Sequence, residues 1–352
     1  MIDKEYLGFN LLSDVNPHPT TDFDNLTFST SNEDIAKVEK DVASNVVRVT
    51  ANHARRYGEA VISARNDVTG YYGMFTVLVK PNDGITVPVV AATNSGVYAL
   101  KADGTVWTWG SNEKGQLGNG LTENTTYPVQ VSLPEGVKAK YVAAGINTAY
   151  AVTTDGYVYA WGNNENGMIG NGTSDKDEVN RTPVRVQEKT STGVLVDLSN
   201  IARIAVGENH VLALSNDGYV YAWGGNEHGQ LGIGYAGEDV IYPTRVLKGD
   251  SASDREYLSN IIAIEAGNAY SLALRNDGTV FAWGEVSNGK LGTVISSDVY
   301  TPAQVWKGES DTDTWYLENV IKISAGSEHS AVINNRNEVY TWGKNTNGQL
   351  GN

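Results

Sequence analysis

The chain has 352 residues, of which 40% are hydrophobic, 38 are glycine and none is cysteine. This length suits two or more domains with apolar cores, the glycine content favours turns and strands, and the absence of cysteine excludes disulfides and cysteine-ligated zinc. The expected fold class is all-β. A net charge of −15 without a cluster of Lys and Arg argues against nucleic-acid and anionic-membrane partners, because neutralising phosphate requires clustered basic side chains.

The first 84 residues show the pattern of a small β-domain. Segment 26–81 predicts five short strands, with clear alternation of apolar and polar residues in VVRVTA at 46–51 and EAVISAR at 59–65. A Ser-rich strand, an Ala-x-Val strand, a Gly-led strand and a Val-rich strand follow in order at Ser29–Ser31, Ala36–Val38, Gly58–Ala64 and Thr76–Val79. This order resembles the bacterial immunoglobulin-like (group 2) domain, which implies a β-sandwich over residues 1–84.

A repeated motif dominates the remaining sequence. A Trp-Gly pair recurs at intervals of 52 to 62 residues, and two apolar runs precede each copy. The runs are joined by Asp-Gly at 103–104, 155–156, 217–218 and 277–278, and Asp-Gly is the usual source of positive φ in a tight hairpin turn. Within the runs consecutive residues are apolar, as in Val211–Leu214, so both faces of each sheet must be covered. Blades stacked radially satisfy this requirement, which predicts a propeller.

The motif is specific enough to indicate a family. The run IAVGENHVLALSNDGYVYAWGGNEHGQLGIG at 204–234 resembles the repeat of the regulator of chromosome condensation family, and five copies cover residues 85–352. The resemblance implies a β-propeller of about five recognisable blades. The copies depart from the family pattern at Thr93, where the others have glycine, and at 334–338, where NNRNE replaces Asp-Gly. The tryptophans before glycine are expected to be core residues between blades: Trp109, Trp161, Trp223, Trp283 and Trp342.

No catalytic constellation emerges from the sequence, so we expect neither enzymatic activity nor a cofactor. GIGYAG at 232–237 has the spelling of a dinucleotide-binding loop but lacks the flanking strand and helix, which favours a turn. His210 and His329 share one repeat position with Thr and Tyr, which favours a packing role. Glu309, Asp311 and Asp313 offer oxygen ligands for calcium, but no complete calcium loop surrounds them, so a solvated acidic turn is favoured and no metal is expected.

The segments between blades vary in length and content, and recognition usually resides in such loops. The expected function is therefore a binding or display module, in which an immunoglobulin-like spacer presents a propeller on a bacterial surface or a phage particle. The expected ligand is protein or carbohydrate, and other copies of the chain or neighbouring structural proteins are further possible partners. Aromatic residues in these segments are the candidate contacts: Tyr127, Tyr235, Tyr242, Tyr300, Trp306, Trp315 and Tyr316.

Several alternatives stay open at this stage. A propeller-type protein inhibitor and a structural subunit of a fibre or virion both fit the pattern. Exchange-factor and chromatin-binding roles are implied by the family resemblance, but the acidic charge argues against them. The beginning, MIDKEYLGFNLLS, has no basic leader and no long apolar run, so no signal peptide is predicted. Segment 85–90 either leads into the first blade or closes the ring against the last one.

Overall fold

A computed structural model describes residues 26–33, 36–41, 46–51, 58–66, 68, 72–79, 86–249, 256–307 and 316–352. The regular elements of these ranges are strands, apart from two 3-10 turns at Glu165–Gly167 and Ser287–Gly289. The predicted all-β class is confirmed. Within the same ranges, no helix has the length and apolar character needed to cross a membrane.

The N-terminal region contains the five predicted strands. They are β1 (Leu26–Thr30), β2 (Ala36–Asp41), β3 (Val46–Ala51), β4 (Gly58–Asn66) and β5 (Tyr72–Val79). One antiparallel sheet has the order β1-β4-β5, and β2 pairs with β3 in another. Strand β5 contacts the following domain, because Met74 is buried in its core and donates its N–H to the Asn276 carbonyl at 2.6 Å. The immunoglobulin-like resemblance and the boundary at residue 84 stay predictions.

Five antiparallel sheets follow along the chain, and we call them blades 1 to 5. In each blade every strand pairs with the next one in sequence. Blade 1 consists of β6 (Val89–Ala92), β7 (Gly96–Leu100), β8 (Val106–Gly110) and β9 (Thr125–Gln130). Blade 2 consists of β10 (Ala139–Ala144), β11 (Thr148–Thr153), β12 (Val158–Asn164) and β13 (Asp175–Arg185).

The next connection forms a hairpin of β14 (Gln187–Lys189) and β15 (Leu195–Asp197). Blade 3 consists of β16 (Ile201–Val206), β17 (His210–Ser215), β18 (Val220–Gly224) and β19 (Val240–Arg245). Blade 4 consists of β20 (Ile261–Ala266), β21 (Tyr270–Arg275), β22 (Val280–Gly284) and β23 (Val299–Gln304). Blade 5 has three strands among the described residues: β24 (Val320–Ala325), β25 (His329–Asn334) and β26 (Val339–Gly343).

The first strands of successive blades contact one another, so β6, β10, β16, β20 and β24 form the inner edge of a propeller. Strand β6 pairs with β7 and belongs to blade 1, with Val89 opposite Leu100. The alternative in which segment 85–90 closes the ring against the last blade is therefore wrong for Val89 and Val90. Residue 85 lies outside the described residues.

The hairpin turns contain three residues and need only one positive φ angle. In blade 1, the Lys101 N–H bonds to the Thr105 carbonyl, and Gly104 alone has positive φ, at 78°. Asp-Gly is thus the source of the positive φ, as expected, but only the glycine adopts it and the Asp keeps an ordinary conformation. In blade 5, Asn337 takes the glycine's place with φ of 61°, which a short polar side chain tolerates.

Tryptophan side chains join consecutive blades. Trp161, Trp223 and Trp283 are fully buried, and each indole N–H donates to a main-chain carbonyl of the preceding blade. The acceptors are Gln116 (2.9 Å), Met168 (2.7 Å) and Gln230 (2.8 Å), and Trp342 bonds in the same way to Lys290 (2.9 Å). Trp109 and Trp342 are only partly buried, so the environment differs at the two ends of the series.

Truncation of these tryptophans tests the interfaces. We expect Trp223→Ala to lower the free energy of unfolding by about 3–5 kcal/mol, because it removes a buried ring and leaves a cavity. Trp109→Ala should cost at least about 1 kcal/mol less, because its ring is already partly in water. Urea denaturation of both variants measures the difference. Equal losses would show that the two rings are equally buried in solution.

The inner edge carries a polar cluster between otherwise aliphatic strands. Arg203 lies over the Tyr141 ring, 5.4 Å from its centroid, and Glu265 interacts with both Arg203 and Lys322. Burial of the Glu265 carboxyl raises its pKa to about 7, and the neighbouring cations and the Ala325 N–H only partly offset this effect. The folded protein therefore holds this proton over a pH range in which the unfolded chain loses it.

This cluster makes stability depend on pH. Between about pH 4.5 and 7 only the unfolded state releases the Glu265 proton, so stability falls as pH rises and stays lower above pH 7. Glu265→Gln should therefore stabilise the protein by about 1–3 kcal/mol at pH 8 and change little at pH 5. Denaturant melts at both pH values check this, with the exposed Glu135→Gln as control. An equal effect of Glu265→Gln at both pH values would contradict it.

Candidate functional site

One end of the propeller carries two sets of connections within blades, one short and one long. Because neighbouring strands are antiparallel, the connections from first to second strand and from third to fourth strand lie at the same end of every blade. The first set comprises 93–95, 145–147, 207–209, 267–269 and 326–328. The second comprises 111–124, 165–174, 225–239, 285–298 and 344–352. We call the surface formed by these loops the loop face.

An asparagine fixes the start of the long loop in four of the five blades, and it is buried in blades 1, 2 and 3. In blade 1, Asn112 accepts the Leu117 N–H at 2.9 Å and donates to the Leu121 carbonyl at 3.0 Å. Asn164, Asn226 and Asn345 accept the corresponding N–H groups in blades 2, 3 and 5. Sequence reasoning missed this role, although the recurrence of Asn at the second position after Trp-Gly in four of the five copies was the signal. These side-chain hydrogen bonds fix the first part of the loop, and the residues that follow extend from it.

The short loops are held by a ring packed under a glycine. Gly207 leaves no room for a Cβ because the His210 ring lies against it, and Tyr270 and His329 stand in the same way under Gly267 and Gly326. His210 also contacts the Ser271 hydroxyl at 2.9 Å, and its complete burial lowers its pKa to about 3. The ring is therefore neutral at physiological pH, which fits the packing role expected from the sequence.

Blade 4 departs from the common loop design. Val286 replaces the asparagine, and the fully buried Lys290 stands where blades 1, 3 and 5 have glutamine. The Lys290 ammonium donates to the Glu285 carboxylate and lies 5.7 Å from the centre of the Tyr270 ring. Burial opposes ionisation of Glu285, but hydrogen bonds from Lys290 and Ser287 outweigh it and lower its pKa. A buried cation is thus neutralised by one partly exposed carboxylate.

Charged contacts continue from this pair across blades 3 to 5. His228 of blade 3 contacts the Asp298 carboxylate of blade 4, with 2.8 Å between Nδ1 and Oδ2. Asn288 of blade 4 donates to Glu328 of blade 5 at 3.3 Å, and Lys344 also bonds to Glu328. The hydrogen bond from Lys344 lowers the Glu328 pKa. These contacts fix the loops of three blades relative to one another.

The loop face is acidic overall. Its loops contain ten Asp and Glu residues and three lysines. Lys290 is buried and Lys344 is paired with Glu328, so little positive charge is presented to solvent. The electrostatic field at this surface favours partners that carry Lys or Arg.

Large apolar side chains are exposed between these carboxylates. Tyr127 of β9 is 67% exposed, and Val294 in the blade 4 loop is 64% exposed. The other large apolar residues exposed on or beside the loop face are Leu121, Ile146, Tyr235, Ile295 and Tyr300. Exposed apolar side chains on loops of this kind are candidate contacts for a partner.

The described aromatic residues predicted from the sequence to be ligand contacts lie at two different ends of the propeller. Tyr127 and Tyr235 are exposed at the loop face, whereas Tyr242 and Tyr300 also pack on the preceding blade, against Gly172 and Gly229 respectively. These four lie at one end of the propeller. Their role as ligand contacts stays a prediction.

Two further nominated residues, Trp306 and Tyr316, lie at the opposite end. Trp306 and Tyr316 form an edge-to-face pair, with ring centroids 5.8 Å apart, in the connection between blades 4 and 5. Trp315, Glu309, Asp311 and Asp313 lie outside the described residues, so the calcium alternative stays open. Elsewhere in the described ranges, no group of three His, Asp or Glu side chains is arranged to bind a metal ion.

Known proteins share this architecture. The family model of the RCC1-like domain matches residues 66–352. The ultraviolet-B receptor UVR8 of Arabidopsis thaliana is 33% identical over 321 residues, which cover 87% of this chain and 67% of the receptor. Pim1 of Schizosaccharomyces pombe is 30% identical over 284 residues, and human HERC2, an E3 ubiquitin-protein ligase, is 30% identical over 262. The matches cover 76% and 73% of this chain but only 48% of Pim1 and 5% of HERC2.

Solved structures show the same fold. Human WBSCR16 superposes with a TM-score of 0.57 and 25% identity over 76% of this chain and 64% of its own. Yeast Prp20 superposes with a TM-score of 0.58 and 20% identity over 86% of this chain and 76% of its own. The likeness to Prp20 concerns the fold alone.

Proposed function

Because the chain belongs to the RCC1-like domain family of β-propellers, we propose that it is a non-enzymatic protein-binding module that contacts its partner through the loop face. The observation that carries the proposal is the exposure of large apolar side chains between carboxylates on loops that vary from blade to blade. The fixed residues of the repeat hold the scaffold together. The variable residues are therefore the ones free to select a partner.

The composition of the loop face matches that of a protein interface. Exposed tyrosines such as Tyr127 and Tyr235 supply large contact areas with few rotatable bonds, as interface anchors do. The surrounding carboxylates would form a polar rim and would orient a partner that presents basic residues. The relatives support a protein partner in general terms, since yeast Prp20 has been characterised for binding to Gsp1p and histones.

The more specific expectations stay predictions. They are a carbohydrate ligand, a position on a bacterial surface or a virion, a propeller-type inhibitor, and a structural subunit. The relatives reported above are eukaryotic and give these expectations no support. The absence of enzymatic activity is part of our proposal.

Loss of the exposed anchors should abolish binding without unfolding the protein. We expect the triple variant Tyr127→Ala, Tyr235→Ala, Val294→Ser to recover at least about tenfold less partner than the wild type, because two anchors of this kind contribute over 1 kcal/mol each. The measurement is affinity capture from extracts of the source organism, with quantitative mass spectrometry and a melting curve for each variant.

A matched control comes from the opposite end of the propeller. Val194, Leu195 and Val196 in or beside β15 are also exposed aliphatic residues, and their triple replacement by serine should leave capture unchanged. Equal capture by the loop-face variant and the wild type would refute the proposal. Loss of capture in the β15 variant alone would move the binding surface to the other end.

A further inference from the structure

Burial in the N-terminal sheet of β1, β4 and β5 increases towards an edge strand. Ser29 of β1, Ser63 of β4 and Met74 of β5 lie opposite one another, so their side chains project from one face, which we call the outer face. Ser29 is exposed, whereas Ser63 is 9% and Met74 is 3% exposed. An edge strand is ordinarily the least covered part of a sheet. The cover over Met74 therefore comes from outside this sheet.

The propeller supplies this cover. Met74 belongs to the apolar core that runs through blades 3 to 5, and Val61, on the outer face of β4, packs against the same core. The Met74 N–H also donates to the Asn276 carbonyl at 2.6 Å. Ile62 projects from the opposite face of the sheet and is fully buried as well. Both faces of the sheet are thus covered, and the propeller covers the outer one.

The acceptor on the propeller lies in a turn whose equivalent is used in the same way. Asn276 precedes Asp-Gly in the hairpin turn of blade 4, and Ala102 precedes it in blade 1. The Ala102 carbonyl accepts the Thr86 N–H at 2.8 Å, where the chain enters blade 1. Both turns join a second to a third strand, so they lie at the end of the propeller opposite the loop face. Residues upstream of blade 1 therefore bond to this end at two blades.

A short connection keeps the two parts close together. The chain between Val79, at the end of β5, and Thr86 spans at most about 25 Å when fully extended. A tether of this length raises the effective concentration of each part at the other to about the millimolar range. An apolar contact around Met74 and Val61, with one main-chain hydrogen bond, is therefore sufficient to hold the parts together.

We propose that the outer face of β4 and β5 is a docking surface for the hairpin turn of blade 4, so that the N-terminal region is a fixed base of the propeller. This base lies at the end opposite the loop face. The spacer expected from the sequence is then rigid, and it keeps the loop face directed away from itself. The loop face is the end that stays open to a partner.

The absence of cysteine from the chain allows a direct test on the full-length protein. In Met74→Cys the introduced thiol is the only one present, and its rate of reaction with a maleimide reports how often the contact opens. We expect labelling at least about tenfold slower than that of Ser29→Cys on the same face, because the thiol reacts only after the contact opens. Intact-mass spectrometry under native conditions measures both rates.

A charge on the outer face should release the contact. Val61→Asp in the Met74→Cys background should raise the labelling rate at least about fivefold, because an unpaired carboxylate is costly in an apolar contact. Ser63→Asp, on the same face, is tested in parallel. Val68→Asp is the matched control, at a valine that is 73% exposed, and should leave the rate unchanged. Circular dichroism and melting curves show which variants are folded.

Two results would overturn the proposal. The first is labelling of Met74→Cys as fast as that of Ser29→Cys in a folded protein, which would show that the N-terminal region moves freely. The second is slow labelling of Met74→Cys that Val61→Asp and Ser63→Asp leave unchanged in folded protein, which would show that the propeller is not what covers Met74. Neither result concerns the loops at the other end, so the protein-binding proposal is tested independently.

Discussion

The hydrogen bond from a tryptophan indole to a carbonyl of the preceding blade is the contact on which the rest of the propeller depends. It requires the loop after the third strand to turn back so that its carbonyl faces the next blade. The turn needs Gly118 at φ of 64°, where a Cβ would collide with the Trp161 ring. It also needs Asn112 to hold the Leu117 N–H. Tryptophan, asparagine and glycine therefore recur together. The asparagine and the glycine shape the turn, and the turn places the carbonyl that accepts the tryptophan N–H.

This dependence separates scaffold from function within each repeat. Residues that form the turn and the interface make the contact between blades, so their side chains are not available to bind a partner. Changing one of them requires a compensating change. Blade 4 illustrates this point: Val286 cannot make the asparagine's side-chain hydrogen bonds, although its N–H donates to Asp298 at 3.0 Å as the Asn112 N–H donates to Asn124 at 2.7 Å. Lys290 keeps its main-chain carbonyl for Trp342 while its side chain needs Glu285. Only residues beyond the turn vary without such compensation.

The sequence was sufficient to predict the elements that depend on local pattern. Continuous apolar runs such as Val211–Leu214 indicated strands covered on both faces, and these residues are buried. It did not give the exact turn geometry, because Asp-Gly fits both a two-residue turn, in which both residues have positive φ, and the three-residue turn of this structure, in which only the glycine does. It also did not show that Tyr300 packs on Gly229, because that contact depends on how a neighbouring blade is placed. The ion pair of Lys290 with Glu285 was not predicted, because a residue that occurs in only one copy of a repeat gives no sequence pattern from which its partner can be identified.

The same limit explains why Trp109 and Trp223 look alike in the sequence but differ in the fold. Both are followed by glycine, both lie in the third strand of a blade, and both have apolar cross-strand neighbours, Val97 and Val211. A prediction based only on the residues around each tryptophan in the sequence therefore gives both the same burial. What differs is the surface beside them: blade 2 covers Trp223, whereas Trp109 is partly exposed. In a repeat protein the burial of a side chain is a property of two adjacent repeats, so it has to be judged from the neighbour as well as from the motif.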